Sequence, residues 1–181
     1  MELESQNELI KACIGGDRSA QYALYNKYST AMYNICYRIT NDPDDAEDVL
    51  QEAFINAFKN LQSFKGESAF GAWLKRIVVN ASINHVKKQK MLYAPIEDHD
   101  IEEESDLPDE TLILEIGRVR ESIQKLPDGY RTVLSLYLLE GYDHREIAQV
   151  LNISESTSKS QYNRAKKRLK EILTERVYEN G

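Results

Sequence analysis

The sequence is poor in the features that carry a protein out of the cytoplasm or into a membrane. Only two cysteines are present, Cys13 and Cys36, and neither belongs to a CxxC pair or a Cys/His cluster. We therefore expect two buried thiols rather than a disulfide or a metal site. No apolar run approaches the ~20 residues of a membrane-spanning helix, and the N-terminus, MELESQNELIK, is polar and acidic where a signal peptide would be basic and then apolar. A cytoplasmic protein without membrane insertion is predicted.

Groups that would indicate catalysis or a cofactor are also scarce. The three histidines, His85, His99 and His144, lie far apart along the chain, and there is no glycine-rich phosphate loop and no nucleophile in a local motif. The aspartates near residues 42–48 lack the central glycine and the closing glutamate of an EF-hand calcium loop. We expect no catalytic residue, no metal and no cofactor, and a protein that is not an enzyme.

Charge is segregated along the chain. The net charge of −7 argues against a nucleic-acid partner, for which a basic domain is usual. Ten acids, however, lie between Pro95 and Glu115, where there is no Lys or Arg, so the rest of the chain carries a net charge of +3. Residues 59–90 hold seven Lys/Arg against one acid and residues 154–170 hold six against one, whereas residues 1–58 hold ten acids against four bases. Such blocks indicate more than one kind of partner.

Residues 140–170 have the apolar spacing of a helix-turn-helix, with a short helix, a break at Asn152-Ile153-Ser154 and a longer helix from Glu155. Ser154 is placed to cap the second helix with its hydroxyl. The docking face of that helix is predicted to comprise Ser158, Tyr162, Ala165, Leu169 and Ile172 or Leu173. The opposite face has side chains of the types that reach base edges and phosphates in a major groove. They are Ser156, Ser160, Asn163, Arg164 and Lys167.

A helix is predicted over residues 43–61, because Asp42 can cap it and Pro43 suits its first turn. One side is an apolar stripe of Ala46, Val49, Leu50, Ala53, Phe54, Ala57 and Leu61. The other side carries Asp44, Asp48, Gln51, Glu52 and Ile55. A solvated acidic face would explain the acids, but an isoleucine in its middle is better explained by a partner surface.

Residues 63–68 are predicted to form a loop with a flexible glycine, followed by a helix over about 69–90. That helix should bury Phe70, Trp73, Leu74, Ile77, Val78 and Ala81. A separate stripe is predicted to carry Arg76, Asn80, Ile83 and Lys87. Basic and amide groups beside aromatic rings suit a surface that tracks phosphates and stacks unpaired bases. A basic face that serves only solubility is the alternative for this segment taken alone.

The remaining helices are expected to supply core. Helices over about 4–14 and 17–40 come first, and the second has an apolar band of Tyr22, Leu24, Tyr25, Tyr28, Met32, Ile35, Cys36 and Ile39. Helices over about 112–125 and 130–140 should pack on the helix-turn-helix through Leu112, Ile116, Val119, Ile123, Val133, Leu134, Leu136, Tyr137 and Leu138. The acidic stretch between the two sets should be an extended linker. An all-α fold of two small helical domains is predicted, with boundaries at 1–94, 95–110 for the linker and 111–181.

The chain resembles the extracytoplasmic-function sigma factors, the compact members of the bacterial sigma-70 family. The similarity to sigma region two rests on DAEDVLQEAFINAFKNLQSF followed by FGAWLKRIVVNASINHVKK. The similarity to sigma region four rests on LPDGYRTVLSLYLLEGYDHREIAQVLNISESTSKSQYNRAKKRLK. Each piece alone is a weak match, but both in this order across an acidic linker are specific. The resemblance covers nearly the whole chain and implies a four-helix region two domain followed by a region four domain.

The resemblance implies a protein that binds core RNA polymerase and directs promoter recognition, DNA melting and transcription initiation. The implied partners are core polymerase, double-stranded promoter DNA, the melted −10 strand and an anti-sigma factor. The face that would dock on the clamp coiled coil of the polymerase is Asp44, Asp48, Gln51, Glu52 and Ile55. The residues that would open and hold the −10 element are Phe64, Lys65, Ser68, Trp73, Arg76, Asn80, Ile83 and Lys87. Those that would contact the −35 element are Ser156, Thr157, Lys159, Ser160, Asn163, Arg164 and Lys167.

Three departures from the family pattern concern the DNA contacts. The family usually has Gly and then Thr-Val where this chain has Ser156-Thr157-Ser158, so a hydroxyl stands on the docking face and a looser or a locally hydrogen-bonded contact is expected there. Gln161 replaces a residue that is commonly basic, and Asn84 one that is commonly Asp, which leaves the promoter preference open. Two other functions stay open: a conventional helix-turn-helix regulator with an N-terminal dimerisation or ligand domain, and a helical adaptor that binds only proteins.

Overall fold

The structure, a computed structural model, describes residues 2–93 and 116–179, and the side chains of residues 6–89 and 117–174. These ranges are helical apart from short turns. The helices are α1 (Glu2–Ile14), α2 (Arg18–Thr40), α3 (Pro43–Lys59), α4 (Phe70–Tyr93), α5 (Ile116–Gln124), α6 (Asp128–Leu138), α7 (His144–Leu151) and α8 (Glu155–Glu179), with a 3₁₀ turn over Leu61–Ser63. The chain divides into two compact units after Leu92. The predicted linker, residues 95–110, lies outside the described residues.

The first unit begins its two central helices at aspartate caps. Asp17 accepts hydrogen bonds from the backbone N–H groups of Ser19 and Ala20 at 2.8 and 3.2 Å, and α2 ends at Asn41, whose φ of 61° is left-handed. Asp42 accepts from the N–H groups of Asp44 and Asp45 at 2.9 and 3.0 Å, which starts α3 behind Pro43 as predicted. Each cap satisfies donors that the helix itself leaves unpaired.

The core of the first unit lies between α2, α3 and α4. Its buried apolar side chains are Leu24, Met32, Ile35, Cys36, Ile39, Ala46, Val49, Leu50, Ala53, Phe54, Ala57, Leu61, Phe70, Leu74, Val78, Val79 and Ile83. Every residue of the predicted apolar stripe is buried, but α3 ends at Lys59 and not at residue 61, so Leu61 lies in the 3₁₀ turn. Both cysteines are free and buried, and burial raises the pKa of Cys36 to about 11. Among the described side chains, no group of three or more His, Cys, Asp or Glu could hold a metal ion.

Two predictions for the first unit are wrong. Tyr22, expected in the core, is 68% exposed, because it lies on the solvent side of α2. Ile83, expected on an exposed stripe of α4, is only 3% exposed. The buried face of α4 extends to Val79 and Ile83, whereas Trp73, Ile77 and Ala81 are only partly buried, so this face is rotated from the predicted one.

The second unit packs α5, α6 and α7 against α8. Its core contains Ile123 and Leu126 from the α5 end, Leu134 from α6, and Ala165 and Ile172 from α8. The predicted docking face of α8 is thereby confirmed. Leu138 is 53% exposed, so the prediction that it packs on the helix-turn-helix is wrong: α6 ends there. Leu112, predicted for the same core, lies outside the described residues.

A buried arginine that the sequence pattern did not indicate holds the turn between α5 and α6. Arg131 is 1% exposed. Its guanidinium donates to the Leu126 carbonyl at 2.9 Å and to Asp128 Oδ1 at 2.7 Å. A buried charge requires such partners, so Arg131 fixes the turn through which α6 enters the second unit.

Within the described part of the chain, no helix combines the length and apolar character needed to cross a membrane.

Candidate functional site

The acidic face of α3 is open to solvent. Asp44, Asp48, Gln51 and Glu52 are all exposed, and Ile55 among them is 54% exposed. The face borders an open groove between α2 and α3 whose lining includes Tyr25, Tyr33, Leu50 and Gln51. The face is negatively charged with an apolar centre and borders only an open groove, which suits a basic protein surface better than a small molecule.

The N-terminal end of α3 is joined to α4 by a polar cluster that the sequence reasoning missed. His85 Nε2 lies 3.0 Å from Asp45 Oδ1, and the Gln89 amide donates to Asp45 Oδ2 at 2.9 Å. Gln89 Nε2 also lies 3.1 Å from His85 Nε2. Asp45 thus faces α4, whereas its neighbours Asp44 and Asp48 on the acidic face point to solvent. These contacts hold the N-terminal part of α3, which carries the acidic face, against the basic helix α4.

Aromatic rings anchor the loop between α3 and α4. The ring centroids of Phe64, Phe70 and Trp73 are 5.5 Å apart in each pair, and Tyr28 packs on Phe70 at 5.3 Å. Phe70 is buried, while Phe64 and Trp73 are each partly exposed. A base that unstacks near this loop would therefore meet the partly exposed rings of Phe64 and Trp73, which pack on the buried Phe70.

The α4 side chains that follow this cluster form an exposed polar stripe. Arg76, Asn80 and Lys87 are exposed as predicted, and so are Lys65 and Ser68 in the loop. In place of the buried Ile83, the stripe contains Asn84, which is exposed. Asn84 lies four residues after Asn80, so helical spacing from Arg76 and Asn80 could have identified it. The stripe offers two amides and two cations on one helix face.

The helix-turn-helix is built by two caps and a left-handed turn. Asp143 accepts from the Glu146 N–H at 2.7 Å while the Glu146 carboxylate accepts from the Asp143 N–H at 3.0 Å, a complete capping box at the start of α7. Asn152 ends α7 at φ 58°. Ser154 Oγ accepts from the Thr157 N–H at 3.0 Å, which confirms the predicted cap of α8.

The exposed side of α8 carries most of the predicted DNA contacts. Ser156, Lys159, Asn163 and Lys167 are exposed. Three further predicted residues, Thr157, Ser160 and Arg164, are partly buried, and the Ser160 hydroxyl donates to the Thr157 carbonyl at 3.0 Å. Lys159 forms an ion pair with Glu155 at 2.8 Å, which raises the pKa of Lys159 and lowers that of Glu155.

The docking side of α8 begins in a cluster of two tyrosines, a histidine and a serine. Ser158 is fully buried, and its Oγ lies 2.9 Å from His144 Nδ1 in a hydrogen bond whose donor depends on the ring tautomer. The His144 ring stacks on Tyr137 at 4.5 Å and meets Tyr162 at 5.6 Å. Of the two contacts expected at Ser158, the hydrogen-bonded one is present, and its partner is His144 of α7. Burial, followed by repulsion from Lys159, lowers the pKa of His144.

Each of the two units matches the model of a known protein family. The family model for Sigma-70 region 2 matches residues 24–91, and that for Sigma-70, region 4 matches residues 116–169. The matches coincide with α2–α4 and with the helices from α5 into α8. Two sigma regions in this order define a sigma factor of the sigma-70 class.

The curated relatives show to which group of sigma-70 factors the chain belongs. The ECF RNA polymerase sigma factor SigW of Bacillus subtilis is 33% identical over 176 residues, which cover 91% of this chain and 94% of SigW. The RNA polymerase sigma-H factor of Pseudomonas aeruginosa is 30% identical over 182 residues, 94% of each chain. The chain belongs to the extracytoplasmic-function (ECF) sigma factors. It is accordingly an RNA polymerase sigma factor that directs promoter recognition and transcription initiation.

Two solved structures share the fold. The sigma factor RpoE of Bartonella quintana, crystallised with the anti-sigma factor NepR, has a TM-score of 0.57 at 22% identity, covering 84% of this chain and 96% of that chain. CnrH in complex with the cytosolic domain of CnrY has a TM-score of 0.54 at 24% identity, covering 92% of this chain and 95% of that chain. The alternative of a conventional helix-turn-helix regulator is not favoured, because the first unit matches sigma region 2.

Proposed function

We propose that three surfaces of this sigma factor bind three different partners. The acidic face of α3 binds core RNA polymerase, the aromatic loop with the α4 stripe engages the −10 element, and the exposed side of α8 reads the −35 element. The domain limits proposed for these tasks are 1–94 and 111–181, with residues 95–110 as the linker. The proposal rests most directly on the acidic face of α3, since a regulator that binds DNA alone gives it no role.

Binding of polymerase by α3 is supported by the composition of its exposed face. Ile55 is a large apolar side chain ringed by Asp48, Gln51 and Glu52, all of them exposed. Apolar centres with charged rims are common in protein interfaces. The negative charge of this rim predicts a basic partner surface and an association that weakens as salt is raised.

Engagement of the −10 element is supported by the aromatic loop and the α4 stripe together. Arg76 and Lys87 can contact phosphates, while Asn80 and Asn84 carry amides that can bond a base edge. Phe64 and Trp73 present partly exposed rings beside them. Stacking on such rings stabilises an unpaired base by roughly 1–3 kcal/mol, which helps offset the cost of opening the duplex.

Reading of the −35 element is supported by the exposed side of α8. Asn163 carries an amide that can bond adenine through two contacts, and Lys159 and Lys167 can neutralise phosphates. The order of these side chains along one exposed helix face suits a major groove. The isolated chain should bind promoter DNA feebly because its net charge is −7.

The test compares two charge reversals in the full chain. Glu52→Lys on the acidic face should lower affinity for purified core polymerase by tenfold or more, whereas Glu8→Lys, at an exposed acid of α1, should leave it unchanged. Run-off transcription from a promoter mapped after induced expression should fall in parallel with binding. Equal effects of the two reversals, or tight promoter binding that core polymerase does not improve, would overturn the proposal.

Three broader assignments accompany this proposal. The protein acts by binding rather than by catalysis, as expected of a transcription initiation factor. It works in the cytoplasm, where core polymerase is found. An anti-sigma factor holds it inactive, which is supported by the fold shared with RpoE, crystallised with its anti-sigma factor NepR. Co-purification of the full chain from its native cells under non-inducing conditions should recover such a partner, and recovery of only free sigma factor and holoenzyme would contradict it.

A further inference from the structure

We propose that His144 is the positioning residue of the recognition helix: through Ser158 and two tyrosine rings it sets the orientation of α8 against α6 and α7, and thereby the reading of the −35 element. This inference rests on the proposed role of α8. His144 touches no DNA in this proposal, because its ring faces Ser158, Tyr137 and Tyr162.

The first observation is the partner of the buried serine. Buried serines in helices ordinarily bond to a carbonyl one turn earlier in their own helix. Ser82, which is also fully buried, does so, because its hydroxyl donates to the Val78 carbonyl at 2.8 Å. Ser158 instead bonds to His144, fourteen residues earlier and on another helix, at 2.9 Å. The hydroxyl of Ser158 therefore bonds to a side chain of another helix, whereas that of Ser82 donates to a carbonyl of its own helix and lies beside the Cys36 thiol of α2.

The second observation is the aromatic packing around the imidazole. The His144 ring lies nearly parallel to Tyr137, with centroids 4.5 Å apart and planes at 19°. Tyr162 packs against both rings, at 4.5 Å from Tyr137 and 5.6 Å from His144. Tyr137 of α6, His144 of α7 and Tyr162 of α8 thus all contact one another. Rings in such contact contribute beyond the area that they bury.

The third observation continues this cluster to the basic side of α8. Lys166 Nζ lies 4.8 Å from the centre of the Tyr162 ring, so the ring that contacts His144 also holds a cation of the recognition helix. The charged groups around the imidazole are Asp143 at the start of α7 and the Glu155–Lys159 pair on α8. The ring that α6 contributes is the neutral Tyr137. A displaced imidazole would leave the buried Ser158 hydroxyl without its partner beside residues proposed to contact DNA.

The test uses holoenzyme reconstituted from the full chain and core polymerase. The probes are duplexes selected by this holoenzyme from a randomised pool, and the same duplexes with the −35 segment scrambled. The measured quantity is the ratio of run-off transcription from the two. His144→Ala should lower this ratio by about fivefold, the factor that one net hydrogen bond supplies. Ser158→Ala should lower it by the same factor or less, and the double variant no further than His144→Ala, because the Ser158 hydroxyl acts through His144.

Two control variants separate positioning from general loss of structure. His144→Asn keeps a polar group near the position of Nδ1 and should retain the ratio to within about twofold of the wild type. Ser82→Ala removes the other buried helical serine and should leave the ratio unchanged. Affinity for core polymerase should be the same in every variant. A wild-type ratio in His144→Ala, or effects of His144→Ala and Ser158→Ala that multiply, would overturn the inference.

A measurement without DNA distinguishes failure of this inference from failure of the proposed function. In His144→Ala, amide hydrogen exchange in the first turns of α8 should accelerate several-fold while exchange in α4 stays unchanged. Unchanged exchange in α8 would refute the positioning role, whatever the promoter assays give. If exchange accelerates but the wild-type holoenzyme does not distinguish selected from scrambled −35 segments, the proposed reading by α8 is wrong and the structural role of His144 stands.

Discussion

The two helices proposed to contact promoter DNA, α4 and α8, are buried in different ways. On α4 the buried positions include Leu74, Val78, Val79 and Ile83, so the helix is enclosed by its unit over a wide arc. On α8 the fully buried residues, Ser158 and Ala165, have small side chains and lie along one line of the helix surface. When a helix is buried along one line, the spacing of its apolar residues predicts its exposed face well. When several helices cover it, apolar residues occur around much of its circumference, and periodicity no longer says which of them are covered.

The largest expected effect tests the corrected face of α4. Ile83→Ala should destabilise the full chain by about 2–5 kcal/mol, because it removes buried methyl and methylene groups and leaves a cavity. Asn84→Ala, at the exposed neighbouring position, should change stability by less than about 0.5 kcal/mol and reduce promoter opening instead. Urea unfolding and permanganate footprinting of the −10 region would measure the two effects. The reverse pattern would restore Ile83 to the DNA-facing stripe.

A smaller effect concerns the start of α8. Ser154→Ala should destabilise the second unit by roughly 1 kcal/mol, since the Thr157 N–H would lose the acceptor that caps the helix. Ser154→Asp should retain the cap and most of the stability. Hydrogen exchange of α8 in the two variants checks this, and equal loss in both would assign the effect to another contact of the Ser154 hydroxyl.

The third prediction concerns pH. Burial, followed by repulsion from Lys159, lowers the pKa of His144 below its usual 6.5. The folded state therefore binds this proton less readily than the unfolded state, so the stabilising contribution is complete above pH 6.5 and is lost as the pH falls through the lowered pKa. Protection factors for amide exchange in α7 and α8, which correct the observed rates for the intrinsic pH dependence of exchange, should fall as the pH is lowered from neutral through this range, and by more than in His144→Asn. An equal fall in His144→Asn would show that other groups carry the pH dependence.

The smallest expected effect concerns Lys159. Glu155→Gln removes the carboxylate that pairs with Lys159 at 2.8 Å and should barely alter stability, because both side chains are exposed. It should free Lys159 for a phosphate, which would steepen the salt dependence of holoenzyme binding to promoter DNA by up to about one unit in log–log slope. In a Lys159→Ala background, Glu155→Gln should no longer change the slope. A slope unaltered by Glu155→Gln in the otherwise unchanged chain would exclude Lys159 as a phosphate contact.

Much of the site could be predicted from local sequence. Asp42 and Pro43 start α3, Ser154 caps α8, and the buried stripe of α3 lies where its spacing predicts. These features depend on residues within one or two turns, and short-range hydrogen bonds and helical spacing determine them. The assignment of sigma regions two and four likewise followed from continuous motifs.

Contacts between distant residues decided the rest. His85 meets Asp45 across forty residues, and Tyr137, His144 and Tyr162 meet from three helices. No local pattern contains such contacts, since they form only when helices have packed. Arg131 differs, because its hydrogen-bond partners Leu126 and Asp128 are neighbours along the chain, and only its burial depends on the packed helices.

By itself, the sequence of this protein determined which segments are helical to within a few residues, which charges gather in which block, and that both sigma regions are present. Only the tertiary structure decided that Ile83 is covered while Asn84 is exposed, and that Ser158 is satisfied by His144. The physical reason is that helix formation depends on neighbours along the chain, whereas burial and the satisfaction of buried polar groups depend on which surfaces are brought together.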